Sequence, residues 1–265
     1  MHMANRKVLF MIQKIKKYRF LFEELVKRDF TKKYKGTIFG MLWSVMGPLM
    51  HLLVMALVFS QLFARKEEYY VIYLFCGNLL YSFFRESTSL GMRSLYENAP
   101  IFTKINVPKY MFLLSKNVST IINFGINLCV LFVFILIYQV PIHVNFILII
   151  YPIVCMVIFN LGVGLILSAL YMKFRDIAYF YDIFTMLLMY LSAIFYYVDE
   201  YPEQYRWLFL MNPVYVYIKY FRSIIIYNTV PSLIEHLLGL GYAVVMLFIG
   251  AVIYKKNNYK FLYYV

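Results

Sequence analysis

The stretch FEELVKRDFTKKYKGTIFGMLWSVMGP (Phe22–Pro48) changes character halfway along its length. Its first half is charged and cannot enter a bilayer, whereas beyond Gly36 and Gly40 the chain is almost wholly apolar. A helix that lies on the membrane surface and leads into a spanning helix has this order of residues. The stretch therefore predicts an all-α integral membrane protein whose first span follows an interfacial helix.

The composition of the whole chain agrees with that prediction. Of 265 residues, 63% are hydrophobic and 15% are charged, and a soluble domain of this length needs a more polar surface. The three cysteines, Cys76, Cys129 and Cys155, lie in apolar runs without CxxC spacing, so they indicate neither a disulfide framework nor a metal site. Residues 1–35 lack the apolar core of a cleavable signal peptide, and we expect an uncleaved first span.

The interfacial helix is predicted over residues 6–35. Apolar side chains recur there at intervals of three and four, which places them on one stripe of a helix. They are Val8, Met11, Ile15, Tyr18, Phe22 and Leu25. A basic amphipathic helix of this kind suits the cytoplasmic headgroup layer. The alternative is a plain positively charged flank of the first span.

Six apolar segments are predicted to span the membrane, because each reaches roughly the 20 residues that a ~30 Å hydrocarbon core requires. They are 40–63, 71–91, 118–139, 146–172, 177–198 and 233–254. In the fourth, the small residues Gly162, Gly164, Ser168 and Ala169 allow close approach of another helix. The second contains Arg85 and Glu86 at membrane depth, where ionisable groups face a protein interior or a wet cavity. Snorkelling of Arg85 from the helix end is an equal alternative.

Two polar segments complete the single predicted domain. Residues 92–116, interrupted by two prolines, form a cytoplasmic segment. Residues 199–232 include an apolar run that Pro213, Lys219 and Arg222 interrupt, so we expect short external helices that dip into the membrane. A seventh span there would place the C-terminal lysines outside, against the positive-inside bias.

With both termini cytoplasmic, most lysines and arginines lie on the cytoplasmic side of the membrane. Only five then lie outside: Arg65, Lys66, Arg206, Lys219 and Arg222. Cytoplasmic lysines and arginines thus account for the net charge of +13, and nucleic acid is not indicated.

Motifs for covalent chemistry do not occur in the sequence. It has no P-loop, no HExxH and no GxSxG, so it predicts neither an ATPase nor a hydrolase, and no metal site. His51 and Asp182 lie within predicted spans. A neutral, hydrogen-bonded histidine and a helix-end carboxylate are the favoured interpretations, rather than a proton relay.

Aromatic residues are the positive signal, with 27 tyrosines and 25 phenylalanines. Flat rings inside spans can stack on the C–H faces of sugars while their hydroxyls form hydrogen bonds, and such a lining would let a glycan slide. Filling gaps between helices is the alternative for any one ring. The aromatic candidates for a path are Phe83, Phe84, Tyr181, Phe184, Tyr190, Phe195, Tyr196 and Tyr197.

Four segments, in this order, resemble the membrane subunits of ABC-2-type exporters of lipid-linked polysaccharides, which include O-antigen, teichoic acid and rhamnan exporters. They are LVKRDFTKKYKGTIFGMLWSVMGPL (Leu25–Leu49), NAPIFTKINVPKY (Asn98–Tyr110), KFRDI (Lys173–Ile177) and MNPVYVYIKYFRSIIIY (Met211–Tyr227). The stretch IINFGINLCV is most similar to the rhamnan exporters.

This resemblance implies a homodimer in the bacterial cytoplasmic (inner) membrane, bound to two copies of a separate ATPase subunit. ATP and Mg would then belong to the partner subunit, and this chain would hold no cofactor and catalyse no reaction. The substrate would be an undecaprenyl-diphosphate-linked polysaccharide of the cell wall.

The resemblance also implies roles for particular residues. Contact with the ATPase would involve Glu97, Asn98, Ile101, Phe102, Lys104, Arg175 and Asp176. The substrate pyrophosphate would meet Arg28, Lys32 and Lys35. The first and fifth spans would line the path, which adds Trp43 and His51. An external gate would contain Asn212, Pro213, Tyr217 and Arg222.

Three other functions stay open at this point. A membrane-embedded glycosyltransferase or acyltransferase would need convergent carboxylates or a His–Asp pair near an interface. An ion-coupled transporter is disfavoured, since the sequence shows neither an internal repeat nor paired charges within spans. The same architecture could export a drug or a lipid alone.

Overall fold

The computed structural model describes residues 18–33, 35–63 and 69–264, and all regular secondary structure in these ranges is helical. The first part of the predicted interfacial helix, residues 6–17, lies outside the described residues, as does most of the loop between the first two predicted spans.

The junction between surface helix and first span depends on two glycines. Residues 18–33 form helix α1, and a short 3-10 turn, Gly40–Leu42, leads into α2, Trp43–Phe63. Gly36 has φ +81° and Gly40 has φ +53°, and this left-handed region disfavours residues that carry a Cβ. The chain therefore changes direction where the sequence changes from charged to apolar.

Four further long helices form the body of the molecule. They are α3 (Tyr70–Glu97), α5 (Tyr110–Ile137), α6 (Ile150–Lys173) and α10 (Leu233–Asn257). A short helix α4, Ala99–Phe102, follows α3, and a 3-10 segment, Val144–Ile149, precedes α6. Helix α3 lies at the centre, packed against α2, α5, α6 and the later helix α9 (Pro213–Ile225), and most of its side chains are buried.

In the described part of the chain, four helices are long and apolar enough to cross a membrane. They are Gly40–Phe59, Tyr110–Ile137, Val144–Lys173 and Leu233–Asn257. These overlap the predicted first, third, fourth and last spans. Helix α3 would reach about 42 Å at ~1.5 Å per residue, but its second half carries Arg85, Glu86, Arg93 and Glu97.

The bounds of the second and fifth predicted spans differ from those of their helices. Helix α3 continues to Glu97, past the predicted end at residue 91, because no proline or helix-ending glycine occurs before Asn98. Helix α7, Ile177–Leu191, has 15 residues and ends seven residues before the predicted end at 198. Ser192 then bonds back to the carbonyl of Leu188, and Ala193 adopts φ +49°.

Residues 199–232, which Pro213, Lys219 and Arg222 interrupt, contain two short α-helices. Helix α8 is Glu203–Leu210 and helix α9 is Pro213–Ile225. Ten side chains of α9 are buried. Asn212 begins α9, because its Oδ1 accepts hydrogen bonds from the backbone N–H groups of Val214 and Tyr215.

A separate apolar cluster joins α1, the segment after α3 and the C-terminal tail. It includes Leu25, Phe102, Phe112 and Phe261, and Phe261 is fully buried. Lys109 lies over the rings of Phe102 and Phe261 and donates to the carbonyl of Asn258 at 2.7 Å. Burial lowers the pKa of Lys109.

Candidate functional site

A cavity of about 730 Å³ lies where the surface helix meets the long helices. Its walls come from α1, α2, α3 and α5, with one residue from α7. Its size falls within the range of about 300–1,000 Å³ that is usual for small-molecule sites. Unlike most cavities of that size, this one is lined by several charged groups.

Helix α3 supplies a polar face to the cavity. Asn78, Ser82, Arg85, Glu86 and Ser89 follow one another at intervals of one, three and four residues, which places them on one side of the helix. The opposite side of α3 carries the apolar residues of the core.

Lys33 of α1 and Glu86 of α3 form an ion pair across the cavity, with Nζ 2.6 Å from Oε1. The second carboxylate oxygen, Oε2, accepts from Nδ2 of Asn123 in α5 at 2.9 Å. Glu86 therefore connects α1, α3 and α5 at the wall of the cavity.

Two further cations line the cavity and form no ion pair with a carboxylate of the described residues. They are Lys32, from α1, and Arg85, from α3. Both side chains are exposed to solvent. A bound anion would thus find cationic groups that are not already engaged with carboxylates of the described residues.

Asp29 is a buried carboxylate at the edge of the cavity. Its Oδ1 accepts from Nη2 of Arg28 at 2.8 Å and lies 3.3 Å from Nζ of Lys116, and its Oδ2 accepts from Ser115. Lys116 is itself buried and also pairs with Glu97 at 2.9 Å. These bonds fasten α1 to the start of α5 and to the end of α3.

Arg28 extends this network to the segment that follows α3. Its Nη2 donates to Oδ1 of Asn98 at 2.8 Å, while Nδ2 of Asn98 donates to the carbonyl of Ser94. The side chain of Asn98 is buried. Arg28 is therefore engaged within the protein, although the resemblance suggested it for the pyrophosphate.

The structure brings only one of the three predicted pyrophosphate residues to the cavity, and that residue is Lys32. Lys35 is exposed in the turn before Gly36 and does not line the cavity. Sequence reasoning did not assign Lys33, Glu86 or Asn123 to a site. Polar residues spaced four apart in an apolar helix, such as Asn78, Ser82 and Glu86, were the available signal.

The predicted ATPase-contact residues lie at one end of the molecule, in two environments. Glu97, Asn98 and Phe102 form contacts within the protein, as described above. Ile101 is half-buried, whereas Lys104 and Asp176 are exposed. Arg175 lies over the ring of Tyr96, 4.5 Å from its centre. Their contact with an ATPase stays a prediction.

The predicted path residues divide into buried and exposed groups. Buried side chains are Phe83, Phe84, Tyr181, Phe195 and Tyr197, and Tyr196 is half-buried. Exposed side chains are Trp43, His51, Phe184 and Tyr190, of which His51 lines the cavity. Phe84 packs against Phe159 in the core of the subunit, whereas Phe184 and Tyr190 face outward from α7.

The predicted external-gate residues hold the two ends of α9 to the segment after α7. Nδ2 of Asn212 donates to Oγ of Ser192 at 3.0 Å. Pro213 begins the helix, and the hydroxyl of Tyr217 donates to the carbonyl of Gly239 in α10 at 2.8 Å. Arg222, near the other end, is buried and reaches the carbonyls of Ala193 and Ile194.

Among the described residues, no three His, Cys, Asp or Glu side chains are grouped so as to hold a metal ion. Asp182 is exposed on α7, and the hydroxyl of Tyr181 beside it donates to Thr88. The cavity described above offers cationic and hydrogen-bonding side chains, so it can bind an anion by charge and hydrogen bonds.

Comparison with known proteins adds two findings. A protein-family model described as ABC-2 type transporter matches residues 21–226. The chain is also similar to an O-antigen export system permease protein RfbA of Klebsiella pneumoniae, with 27% identity over 248 residues, 91% of this chain and 95% of the relative. A protein of the same name from Myxococcus xanthus is 25% identical over 258 residues, 95% of this chain and 97% of the relative.

Proposed function

Because this chain belongs to the ABC-2 type transporter family, we propose that it is the permease subunit of a transporter that exports an undecaprenyl-diphosphate-linked polysaccharide. Two relatives that align with more than nine-tenths of the chain are named as O-antigen export permeases. A separate ATPase subunit, carrying ATP and Mg, supplies the energy.

The observation that carries this proposal is the charged cavity at the end of the surface helix. It contains Lys32 and Arg85, which are not engaged with described carboxylates, beside the paired Lys33. A diphosphate is a compact polyanion, and lysine and arginine are the side chains that bind phosphate groups. The lipid tail could remain in the bilayer while its headgroup enters between α1 and α2.

Amide and hydroxyl groups continue from this cavity into a smaller one of about 110 Å³. Asn78, Ser82 and Asn123 line both cavities, and Asn127 lines the smaller one. Such groups form hydrogen bonds with hydroxyl-rich ligands. We assign them to the first sugar residues that follow the diphosphate.

The membrane arrangement within this proposal has six spans and cytoplasmic termini. Helix α3 crosses with its polar face toward the cavity, and α7 crosses together with the segment up to residue 198. Helices α8 and α9 dip into the outer side of the membrane. This arrangement keeps Lys255, Lys256 and Lys260 on the cytoplasmic side.

Two copies of the subunit enclose the path within this proposal. The outward faces of α2 and α7 carry large exposed side chains, among them Met50, Phe184 and Tyr190. Exposed apolar faces of this kind meet either lipid or another protein surface. Joining these faces in a homodimer would place the α7 aromatics along the path of the glycan.

The buried network around Asp29 would transmit a movement of the ATPase to α1. The segment after α3 exposes Lys104 and Ile105 to a partner, while Asn98 and Glu97 connect it to Arg28 and Lys116. A push on this segment would therefore move α1 as one body with it. The left-handed Gly36 and Gly40 would serve as the hinge toward α2.

The test combines export with binding. In cells, the double variant Lys32→Gln and Arg85→Gln should reduce surface polysaccharide at least ~10-fold. The purified variant should bind farnesyl diphosphate, a short lipid diphosphate, at least ~10-fold more weakly than the wild type. Lys35→Gln is the control for the Lys32 substitution, because it removes one positive charge close by in the chain and outside the cavity.

Unchanged export and unchanged diphosphate binding in the double variant would overturn the proposal. Transfer of a sugar or an acyl group by the purified subunit, without an ATPase, would instead support the membrane-embedded transferase. Export of a lipid lacking any glycan would support the lipid exporter.

A further inference from the structure

A further cavity, of about 400 Å³, lies beside the beginning of α3, away from the charged cavity of about 730 Å³. It is bounded by the beginning of α3, the segment before α8, and helices α8 and α9. Four residues on one face of α9 line it: Tyr215, Lys219, Arg222 and Ser223. Its volume is that of a small-molecule site.

The buried guanidinium of Arg222 forms the floor of this external cavity, and Arg222 is only 3% exposed. Its nitrogens donate to the carbonyls of Tyr73, Ala193 and Ile194 at 2.8–3.2 Å. No carboxylate of the described residues pairs with it. The guanidinium also lies over the ring of Tyr73, 3.4 Å from its centre. A buried cation held by carbonyl groups and a ring, without a carboxylate of the described residues, keeps a positive field that a ligand can complement.

Positive groups also outnumber negative ones on the walls. Three cations, Arg206, Lys219 and Arg222, face one carboxylate, Asp199. Arg206 lies 3.6 Å from that carboxylate, and Lys219 pairs at 2.8 Å with Glu235 of α10. The cavity is therefore suited to an anionic ligand.

Aromatic rings complete the walls. Trp207 and Tyr227 are 58% and 48% exposed, so their surfaces are accessible to a ligand. The hydroxyl of Tyr215 makes no hydrogen bond with any described residue, although the residue is only 7% exposed. Accessible rings beside hydrogen-bonding groups are suited to the alternating C–H faces and hydroxyls of a sugar.

We propose that this external cavity binds a sugar residue that bears a negative charge, such as a uronate, within the emerging glycan. The inference rests on the proposed function for the direction of travel. The position of the cavity supports the proposal, because its walls include Tyr197, which is a predicted path residue, and Tyr73. The hydroxyl of Tyr73 donates to the carbonyl of Tyr196, and Phe59 of α2 stacks on Phe195 at 4.7 Å.

Intrinsic fluorescence tests the inference directly, since the chain has only two tryptophans. In a Trp43→Phe background, Trp207 is the sole reporter and it lines the cavity. The purified full-length permease in phosphatidylcholine nanodiscs is titrated with trigalacturonate, with neutral maltotriose, and with phosphatidylglycerol replacing part of the lipid. We expect saturable binding of trigalacturonate, at least ~10-fold tighter than that of maltotriose.

Two neighbouring substitutions should shift this affinity in opposite directions. Lys219→Gln removes a cation and leaves the carboxylate of Glu235, so it should weaken trigalacturonate binding ~10-fold. Glu235→Gln retains a capping side chain for α10 and leaves Lys219 unpaired, so it should tighten binding. A variant that merely misfolds cannot bind more tightly. Lys256→Gln, on the exposed opposite end of α10, should change nothing.

Three results would overturn the inference: no saturable response to trigalacturonate, equal affinity for maltotriose, or the same response to phosphatidylglycerol alone. This titration needs no ATPase, so it is independent of export. Intact export without binding would refute the external site only, whereas intact binding without export would refute the proposed function only.

Discussion

Arg222 occupies the space where a side chain at Gly77 would begin. A Cβ built on Gly77 would meet Nη2 of Arg222 at 2.5 Å and Cγ2 of Ile194 at 3.3 Å. The missing side chain allows the guanidinium to reach the carbonyl of Tyr73, one turn earlier in α3. One glycine in the central helix therefore permits the buried contact that joins α3, α9 and the segment after α7.

Replacing Gly77 with alanine should displace this guanidinium and break its hydrogen bonds. Leaving a buried donor unsatisfied costs about 1–3 kcal/mol, more for a charged group, which exceeds the gain of up to ~1 kcal/mol in helix propensity. We expect a lower midpoint of thermal unfolding for the purified protein. Gly125→Ala in α5 is the control, because a Cβ there meets no atom within 4 Å. An unchanged midpoint in G77A would contradict the role of this contact.

The crossing of α6 and α10 depends on two further glycines. A Cβ on Gly162 would overlap the backbone at Met246 and Leu247, and one on Gly250 would overlap the carbonyl of Gly162. Because backbone atoms cannot rotate away, Gly250→Ala should separate the helices and reduce the yield of folded protein. Gly241→Ala changes the same helix where the space is open, and it should fold normally. Equal yields from both variants would show that the crossing tolerates separation.

The sequence predicted local features of this fold well. The change from charged to apolar at Gly36 and Gly40 gave the bend before α2, and small residues around Gly162 predicted close approach in α6. Both signals depend only on the residues of one segment. The partner of that close approach, Gly250, was not predicted, since no local pattern in α10 distinguishes it from Gly241.

Long-range polar contacts were the part that the sequence did not predict. Arg222 was interpreted as an interruption of an apolar run, whereas its partners lie 28 to 149 residues away. No proline or glycine marks the early end of α7 in the sequence. The segment after Leu191 is held instead by hydrogen bonds from Arg222 and Asn212. The resemblance suggested Lys32 for the pyrophosphate, and the sequence predicted that Glu86 faces a protein interior or a cavity. It did not predict the partners of Glu86, which are Lys33 and Asn123.

Asp29→Asn should loosen the surface helix from the segment after α3. The substitution keeps the size of the side chain and removes the charge that faces Arg28 and Lys116. Breaking a buried ion pair costs about 3–5 kcal/mol, although Lys116 retains Glu97. We expect a lower unfolding midpoint, and export reduced ~10-fold relative to ATP hydrolysis by the assembled transporter.

The control for that prediction is an ion pair on the exposed side of the same helix. Arg19 and Glu23 lie 2.7 Å apart, with side chains 74% and 57% exposed, and solvent screens such pairs so that they contribute little to stability. Arg19→Gln should therefore leave both the midpoint and the coupling ratio unchanged. If D29N also left the ratio unchanged, the network would have a purely structural role.

Glu86→Gln should strengthen the binding of a diphosphate to the inner cavity. The amide oxygen can still accept from Asn123, so that helix contact persists, but the cavity wall loses a negative charge that would repel an anion bound near Lys32 and Arg85. We expect purified E86Q to bind farnesyl diphosphate ~10-fold more tightly, and the gain should shrink as salt concentration rises. Glu203→Gln, exposed on α8 outside the cavity, is the control. An affinity in E86Q equal to or below that of the wild type would show that the charge of Glu86 does not oppose anion binding in this cavity.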